Sequence, residues 1–473
     1  YLASLEQEKK MSSSDLFLSP VVLPCSGRTL SNRLAKAAMT ESLSDPNDGQ
    51  PNHRHVRLYR SWSKGCSMVI TGNVMVDERY KEAPRNVVLD GRNAQPDLTP
   101  FRNWADAIQR DGALGIMQLS HPGRQSPLAV TGLFGPRPVA PSSYKGRVKL
   151  PGILGAILGR LLIRSPREMS TMEIKNVVKS FACSARLAEE AGFAGIQVHA
   201  AHGYLLSQFL SPLANHRIDE YGGNAKNRWR LLLETIAAVR ASTSPSFVVG
   251  VKVSSRDVRS SSEDEMINLL EELCSGTYGL DFIEISGGSM EDAVFVHNVD
   301  VDPKGGGEEG FFLNFAKRLR QVRASKTSAN RGSAFAEPAI IVTGGFRSRT
   351  GMNSALRSGA ADLIGLARPL VMQPSFSEEL LLGRVQHATS THLSVGLADS
   401  LLVPTLNSLW YQQQMQRLSG ERDADPNLGV VWTLTGRFGR SYIWDPAWRS
   451  LQSTSMMVSL ALIMACMGIL NVA

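Results

Sequence analysis

Two histidines and a tyrosine crowd into six residues, His199-Ala-Ala-His202-Gly-Tyr204, where an apolar run ends. Histidines three apart on one turn could ligate a metal. No acidic or cysteine ligand stands at a companion strand end, and Lys252 would repel a cation, so no metal is expected. An isolated pair of this kind usually serves the core. The following tyrosine suggests a different chemistry, in which two N–H donors hold a carbonyl oxygen while a phenol delivers a proton. Further on, Thr343-Gly344-Gly345-Phe346 lets backbone N–H groups approach an anion closely, and a helix starting near Ser348 would add its positive end. Arg368 can supply a charge-assisted fork to the same anion. A Gly-Gly pair also makes plain turns, but its place next to an arginine-bearing strand end favours phosphate.

These residues need elements to carry them. Short β-branched runs alternate with segments of helical period, the pattern of repeated βα units around a parallel sheet. Eight strands are expected, at Arg33–Met39, Ser67–Val74, Leu114–Ser120, Phe193–Ala200, Phe247–Ser254, Asp281–Gly287, Ala339–Gly345 and Asp362–Arg368. Ser170 and Glu173 form a capping box ahead of one helix, and Gly192 ends it. An α/β (β/α)₈ TIM barrel follows, with insertions. An open doubly wound sheet would show a glycine-rich fingerprint after an early strand, and none is there. In a barrel the chemistry sits at the C-terminal strand ends. Those ends are Met39 and Thr40, Gly72, Gln118 and His121, His199–Tyr204, Lys252, Ser286–Gly288, Gly344–Gly345 and Arg368. The connection after the third strand, His121 to Ser170, runs about fifty residues, the length of a functional cap. It contains the apolar stretch Leu150–Ile163; an extra surface helix without function is the alternative.

With these motifs placed, the chain resembles the old yellow enzyme (NADH:flavin oxidoreductase) family. The run AGFAGIQVHAAHGYLLSQFLSPLANHRIDEYGGNAKNRWR from Ala191 to Arg230 is similar to the family's central signature. Gln118–Arg124, Asp281–Gly288 and Ile341–Pro369 resemble its third strand, sixth strand and phosphate-binding end, and the similarity spans Leu16 to Leu382. The resemblance implies non-covalent FMN, reduced by NADH or NADPH, which then reduces an activated C=C bond. Ala38, Met39 and Thr40 would line the cofactor, Thr40 at the flavin O4. Gly72 would lie beside the isoalloxazine ring and Gln118 would pair with its pyrimidine edge. Lys252, where many relatives have arginine, would face N1 and O2, where a fixed cation stabilises the charge of reduced flavin. Lysine lacks the planar fork. Gly344, Gly345 and Arg368 would take the phosphate. His199 and His202 would bind the enone oxygen, Tyr204 would protonate Cα, and N5 would send hydride to Cβ. The alternatives are a flavin-dependent biosynthetic isomerase or dehydrogenase, and a non-catalytic membrane-tethered flavin-binding barrel.

Bulk properties set the frame. The 473 residues are 43% hydrophobic and 20% charged, globular values, and the net charge of +8 is scattered, which argues against nucleic acid as a partner. The five cysteines are dispersed, without zinc, iron–sulfur or disulfide-framework spacing, which points to a reducing compartment. The chain opens at Tyr1, and Met11 is a candidate start. The expected organisation is a disordered stretch 1–15, the barrel with a helical extension at 16–418, a linker at 419–455 and a membrane tail at 456–473. Met456–Ala473 is uncharged and nearly all apolar, and as a helix would reach roughly 27 Å against a hydrocarbon core of about 30 Å. Arg437, Arg440, Arg449, Trp444 and Trp448 flank it as at a membrane interface. A cytosolic catalytic domain tethered by this tail is therefore expected, with a helix docked on the barrel as the alternative. An apolar cap and an apolar tail together suggest a lipophilic substrate such as a terpenoid, sterol or polyketide.

Overall fold

Alternation along the strands dictates the architecture. On every second residue an apolar side chain points to one of two clusters, one under the helices and one inside a ring. In this computed structural model, residues 15–92, 96–132, 135–143, 164–255, 263–287, 309–326, 337–389 and 403–429 are described. Eight parallel strands close on themselves: β1 (Leu34–Lys36), β2 (Met68–Met75), β3 (Leu114–Ser120), β4 (Gly195–Ala200), β5 (Val248–Ser254), β6 (Phe282–Ser286), β7 (Ala339–Thr343) and β8 (Leu363–Leu366). The seam is the pairing of β8 with β1, Ile364 opposite Leu34 and Leu366 opposite Lys36. All eight expected strands are present. The first and last are shorter than expected: Ala38, Met39 and Thr40 lie beyond the ladder, and Arg368 opens a helix whose second residue is Pro369.

The outer ring contains α1 (His53–Ser63), α2 (Thr99–Gln109), α3 (Thr171–Glu190), the short α4 (Leu205–Leu210), α5 (Ala225–Ala241), α6 (Glu263–Leu273), α7 (Leu313–Lys326) and α8 (Arg349–Arg357). The capping box at the start of α3 is formed: Glu173 N donates to Ser170 Oγ at 3.3 Å, and Ser170 N donates to Glu173 Oε2 at 2.9 Å. After β8 come α9 (Arg368–Met372), α10 (Phe376–Leu381) and α11 (Val403–Leu418). Helix α11 is fixed on the barrel. Its Trp410 is fully buried, with Nε1 donating to Leu428 O at 2.8 Å, and Arg57 Nη1 from α1 donates to Ser419 O at 2.8 Å.

Inside the ring the bottom layer is apolar, built from Ala35, Met68, Ile70, Ile116, Phe282 and Ile341 among others. An N-terminal hairpin, Val21–Val22 against Thr29–Leu30, closes the floor, with Leu23 and Leu30 in the same cluster. Gly250 makes room for the Phe282 ring, since a Cβ there would lie 2.2 Å from it. The connection after β3 begins with a 3₁₀ turn, Gly123–Gln125, and its two ends pair at Val139–Ala140 and Arg167–Glu168. The apolar stretch Leu150–Ile163 and the tail 456–473 lie outside the described residues. Among the described residues no helix is long and apolar enough to cross a membrane.

Candidate active site

One layer above the apolar plug, the inward positions turn polar. Gln118, Gln197, Lys252 and Glu284 stand on four adjacent strands, β3 to β6, and all are buried. They form a chain: Gln118 Nε2 donates to Gln197 Oε1 at 2.5 Å, and Gln197 Nε2 donates to Glu284 Oε2 at 2.7 Å. Lys252 Nζ lies 2.8 Å from Glu284 Oε1. That oxygen has no aligned hydrogen bond, so this last contact is charge against charge. Gln118 and Lys252 thus share one polar floor.

A bulge shapes the wall beside it. The register of β2 on β3 slips between Ile70 and Asn73, re-aiming Thr71 and Gly72. Gly72 N donates to Tyr59 Oη at 2.7 Å and to Glu41 Oε1 at 3.2 Å. Only glycine fits here, because a Cβ would lie 2.3 Å from Glu41 Oε2 and 2.4 Å from the Met39 carbonyl oxygen. Met39 and Gly72 therefore stand side by side, with Thr40 next in sequence. Ala38 packs against the inner apolar cluster.

At the end of β4, His199, His202 and Tyr204 come together. The His199 ring lies 5.2 Å from that of His202 and 4.8 Å from that of Tyr204, centroid to centroid. Burial holds both histidines well below the usual imidazole range, reinforced at His199 by His202 and Lys252 and at His202 by Lys252. Each ring is then neutral, with one N–H donor and one acceptor nitrogen. His202 takes a left-handed conformation, φ 59°, fixed by its N–H on Ser254 Oγ at 3.1 Å, and its Nε2 lies 3.1 Å from Ser286 Oγ. A non-glycine residue held at positive φ stores strain that the surrounding structure must hold. Tyr204 is the N-cap residue just ahead of α4, in extended conformation.

Sequence reasoning missed the carboxylate at the centre of this group. Glu82 accepts from Thr40 Oγ1 at 2.5 Å, from Asn73 Nδ2 at 2.8 Å and from the Tyr204 hydroxyl. It lies in a loop after β2, where no spacing rule marks it. Glu284 was also missed, although an acid in the middle of an apolar strand is a signal in itself.

At the far end, Gly344 and Gly345 take φ values of 146° and 82°, which other residues avoid. Arg368 is brought below its ordinary range by burial and by Arg347, against the opposing influence of Tyr411 from α11. One expected contribution is altered. Helix α8 starts as expected, capped by Ser348, but just ahead of it the N–H groups of Arg347 and Ser348 donate to Glu309 Oε2 at 3.2 and 3.1 Å. A carboxylate thus stands at this helix end, while Gly344 and Gly345 face the rings of Phe312 and Phe311. Asn73 Oδ1 and Thr343 Oγ1 are buried without a hydrogen-bond partner among the described residues. A buried polar floor, unpartnered buried oxygens on Asn73 and Thr343, two glycines at positive φ and a largely buried arginine are features that suit a flat heterocycle carrying a phosphate.

The sequence model of the NADH:flavin oxidoreductase / NADH oxidase family matches residues 23–387. The chain belongs to this family. The flavin oxidoreductase is 39% identical over 369 residues to the NADH-dependent flavin oxidoreductase iliE of Neonectria sp. (strain DH2), covering 75% of this chain and 45% of that protein. It is 35% identical to the iliE protein of Hypocrea jecorina (strain QM6a), covering 84% and 94%. An NADPH dehydrogenase of Bacillus velezensis is 30% identical over 74% of this chain and 90% of its own. Among solved structures, morphinone reductase superposes with a TM-score of 0.62 at 22% identity, covering 82% and 96% of the two chains. The old yellow enzyme homologue from Zymomonas mobilis gives 0.61 at 22% identity, covering 79% and 94%. These two show the fold. The cofactor of this flavin oxidoreductase is FMN, reduced by NAD(P)H.

Proposed function

We propose that this flavin oxidoreductase reduces electron-poor C=C bonds, such as those of α,β-unsaturated carbonyl compounds, with Tyr204 as the proton donor. The observation that carries the reading is the cluster at the end of β4, two neutral imidazoles and a phenol within one turn. Bound FMN supplies the hydride for Cβ. His199 and His202, as neutral donors, hold the carbonyl oxygen and stabilise the charge that develops there. Tyr204 gives its proton to Cα. Glu82 accepts the Tyr204 hydroxyl and so fixes where that proton is held. Lys252 and Gln118 grip the cofactor from the barrel floor, while Gly344, Gly345 and Arg368 take its phosphate.

Anaerobic titration tests the reading. The purified yellow protein should bleach with NADH or NADPH and recover its absorbance when an enone is added. Bleached flavin that no member of an enone panel reoxidises would refute the proposal. The phenol–carboxylate pair also favours a second reading, because a tyrosine facing a carboxylate can remove a proton as well as give one. Substrate that isomerises without net consumption of nicotinamide would identify that reaction.

A further inference from the structure

Lys252 is the cation expected to stabilise reduced flavin, and it is ion-paired inside the barrel. Its ammonium lies 2.8 Å from Glu284 Oε1, on the neighbouring strand at the same rung. The Lys252 side chain is 4% exposed and that of Glu284 is fully buried, so water screens neither. The carboxylate is also held on its other side. Gln197 Nε2 donates to Glu284 Oε2 at 2.7 Å, and Gln197 is itself gripped by Gln118 at 2.5 Å. Glu284 therefore cannot turn away to leave the lysine alone.

We propose that Glu284 sets the reduction potential of the bound flavin by offsetting the charge of Lys252. Reduction adds negative charge to the flavin, and a fixed positive charge beside it favours the reduced form. A carboxylate in the same dry layer disfavours it. With both present the Lys252–Glu284 pair adds little net charge of its own, beside the buried Lys36 that acts on both, and the potential lies below the value obtained without Glu284. The enzyme gains a stronger reductant toward its oxidant substrate and takes electrons from NAD(P)H less readily in exchange. Glu284 is a positioning residue in this scheme, since it acts on the flavin through Lys252 and the local field. The proposal rests on Lys252 facing the cofactor.

The test is the midpoint potential of the FMN-loaded protein, read spectroscopically against reference dyes. Glu284→Gln keeps the shape and removes the charge. It should raise the potential, increasing the reduced-to-oxidised ratio at a fixed applied potential by about tenfold or more, about 30 mV for a two-electron couple. Glu284→Asp keeps the charge and should stay near wild type, an outcome that a packing role does not give. Lys252→Met should lower the potential. An unchanged potential in Lys252→Met shows that Lys252 does not face the flavin, and the proposal falls with that placement. A lowered potential in Lys252→Met with no rise in Glu284→Gln overturns the role of Glu284 alone.

Discussion

Tyr204 is held by two different kinds of contact: aromatic neighbours on its own turn and a carboxylate 122 residues earlier in the chain. The first kind was legible in the sequence. Histidine, histidine and tyrosine within six residues at the end of an apolar run need no partner elsewhere to suggest carbonyl binding and proton transfer. The second was not, because Glu82 meets Tyr204 and Thr40 only after β2 and β4 have entered the same ring. Replacing the phenol isolates its role. Tyr204→Phe should leave reduction of the flavin by NADH or NADPH near wild type and slow reoxidation by an enone by about 10²–10⁴-fold, the usual contribution of a positioned proton donor. Stopped-flow measurement of the two half-reactions checks this, and equal reoxidation rates would remove Tyr204 from the chemistry.

Among the elements, the strands were the most readable because their cores are β-branched and their period is two. Their ends were read too long. Ala38–Thr40 and Arg368 lie beyond the ladder, which stops at Lys36 and Leu366. The bulge at Thr71–Gly72 left no trace beyond a glycine in a strand. Two-residue strands such as Val139–Ala140 are too short to give any periodic signal. Gly250 shows how tightly the elements fit. Gly250→Ala places a Cβ about where the Phe282 ring now sits, and overpacking of this kind costs about 1–3 kcal/mol. Chemical denaturation should show that loss, and Phe282→Leu in the same chain should recover part of it. A single variant as stable as wild type would mean that the plug is loosely packed.

The molecule as a whole carries several buried groups in the less usual ionisation state, which makes its stability depend on pH. Burial lowers His55 to about 3 and His121 to about 4, and holds His199 and His202 well below 6.5. Below pH 6.5 an unfolded chain protonates these four rings while the native one does not, so stability falls with pH. Glu41 works in the opposite direction. Burial raises its carboxyl to about 7, so below that pH the native chain holds a proton that the unfolded chain lacks until about pH 4.5. The four histidines outnumber the one glutamate, so stability falls as the pH drops from 6 to 5. Thermal unfolding of the flavin-loaded protein should therefore show a clear drop in midpoint from pH 7 to 5. A flat profile would contradict the neutral state of these rings.

The seam between β8 and β1 has one more consequence, for the protein's synthesis. Arg33 Nη1 donates to the carbonyl of Asp362, 329 residues later, at 3.1 Å. A ribosome must therefore make nearly the whole barrel before its first strand can find its last. Until then the growing sheet keeps two bare edges, the kind of surface that invites pairing with other chains. Gly344, Gly345 and Arg368, the residues proposed to take the cofactor's phosphate, emerge in the same late stretch, and on that proposal the cofactor cannot be captured early to steady the nascent chain. On the same proposal, ring closure and the arrival of yellow colour belong to the same final moments of the protein's biogenesis.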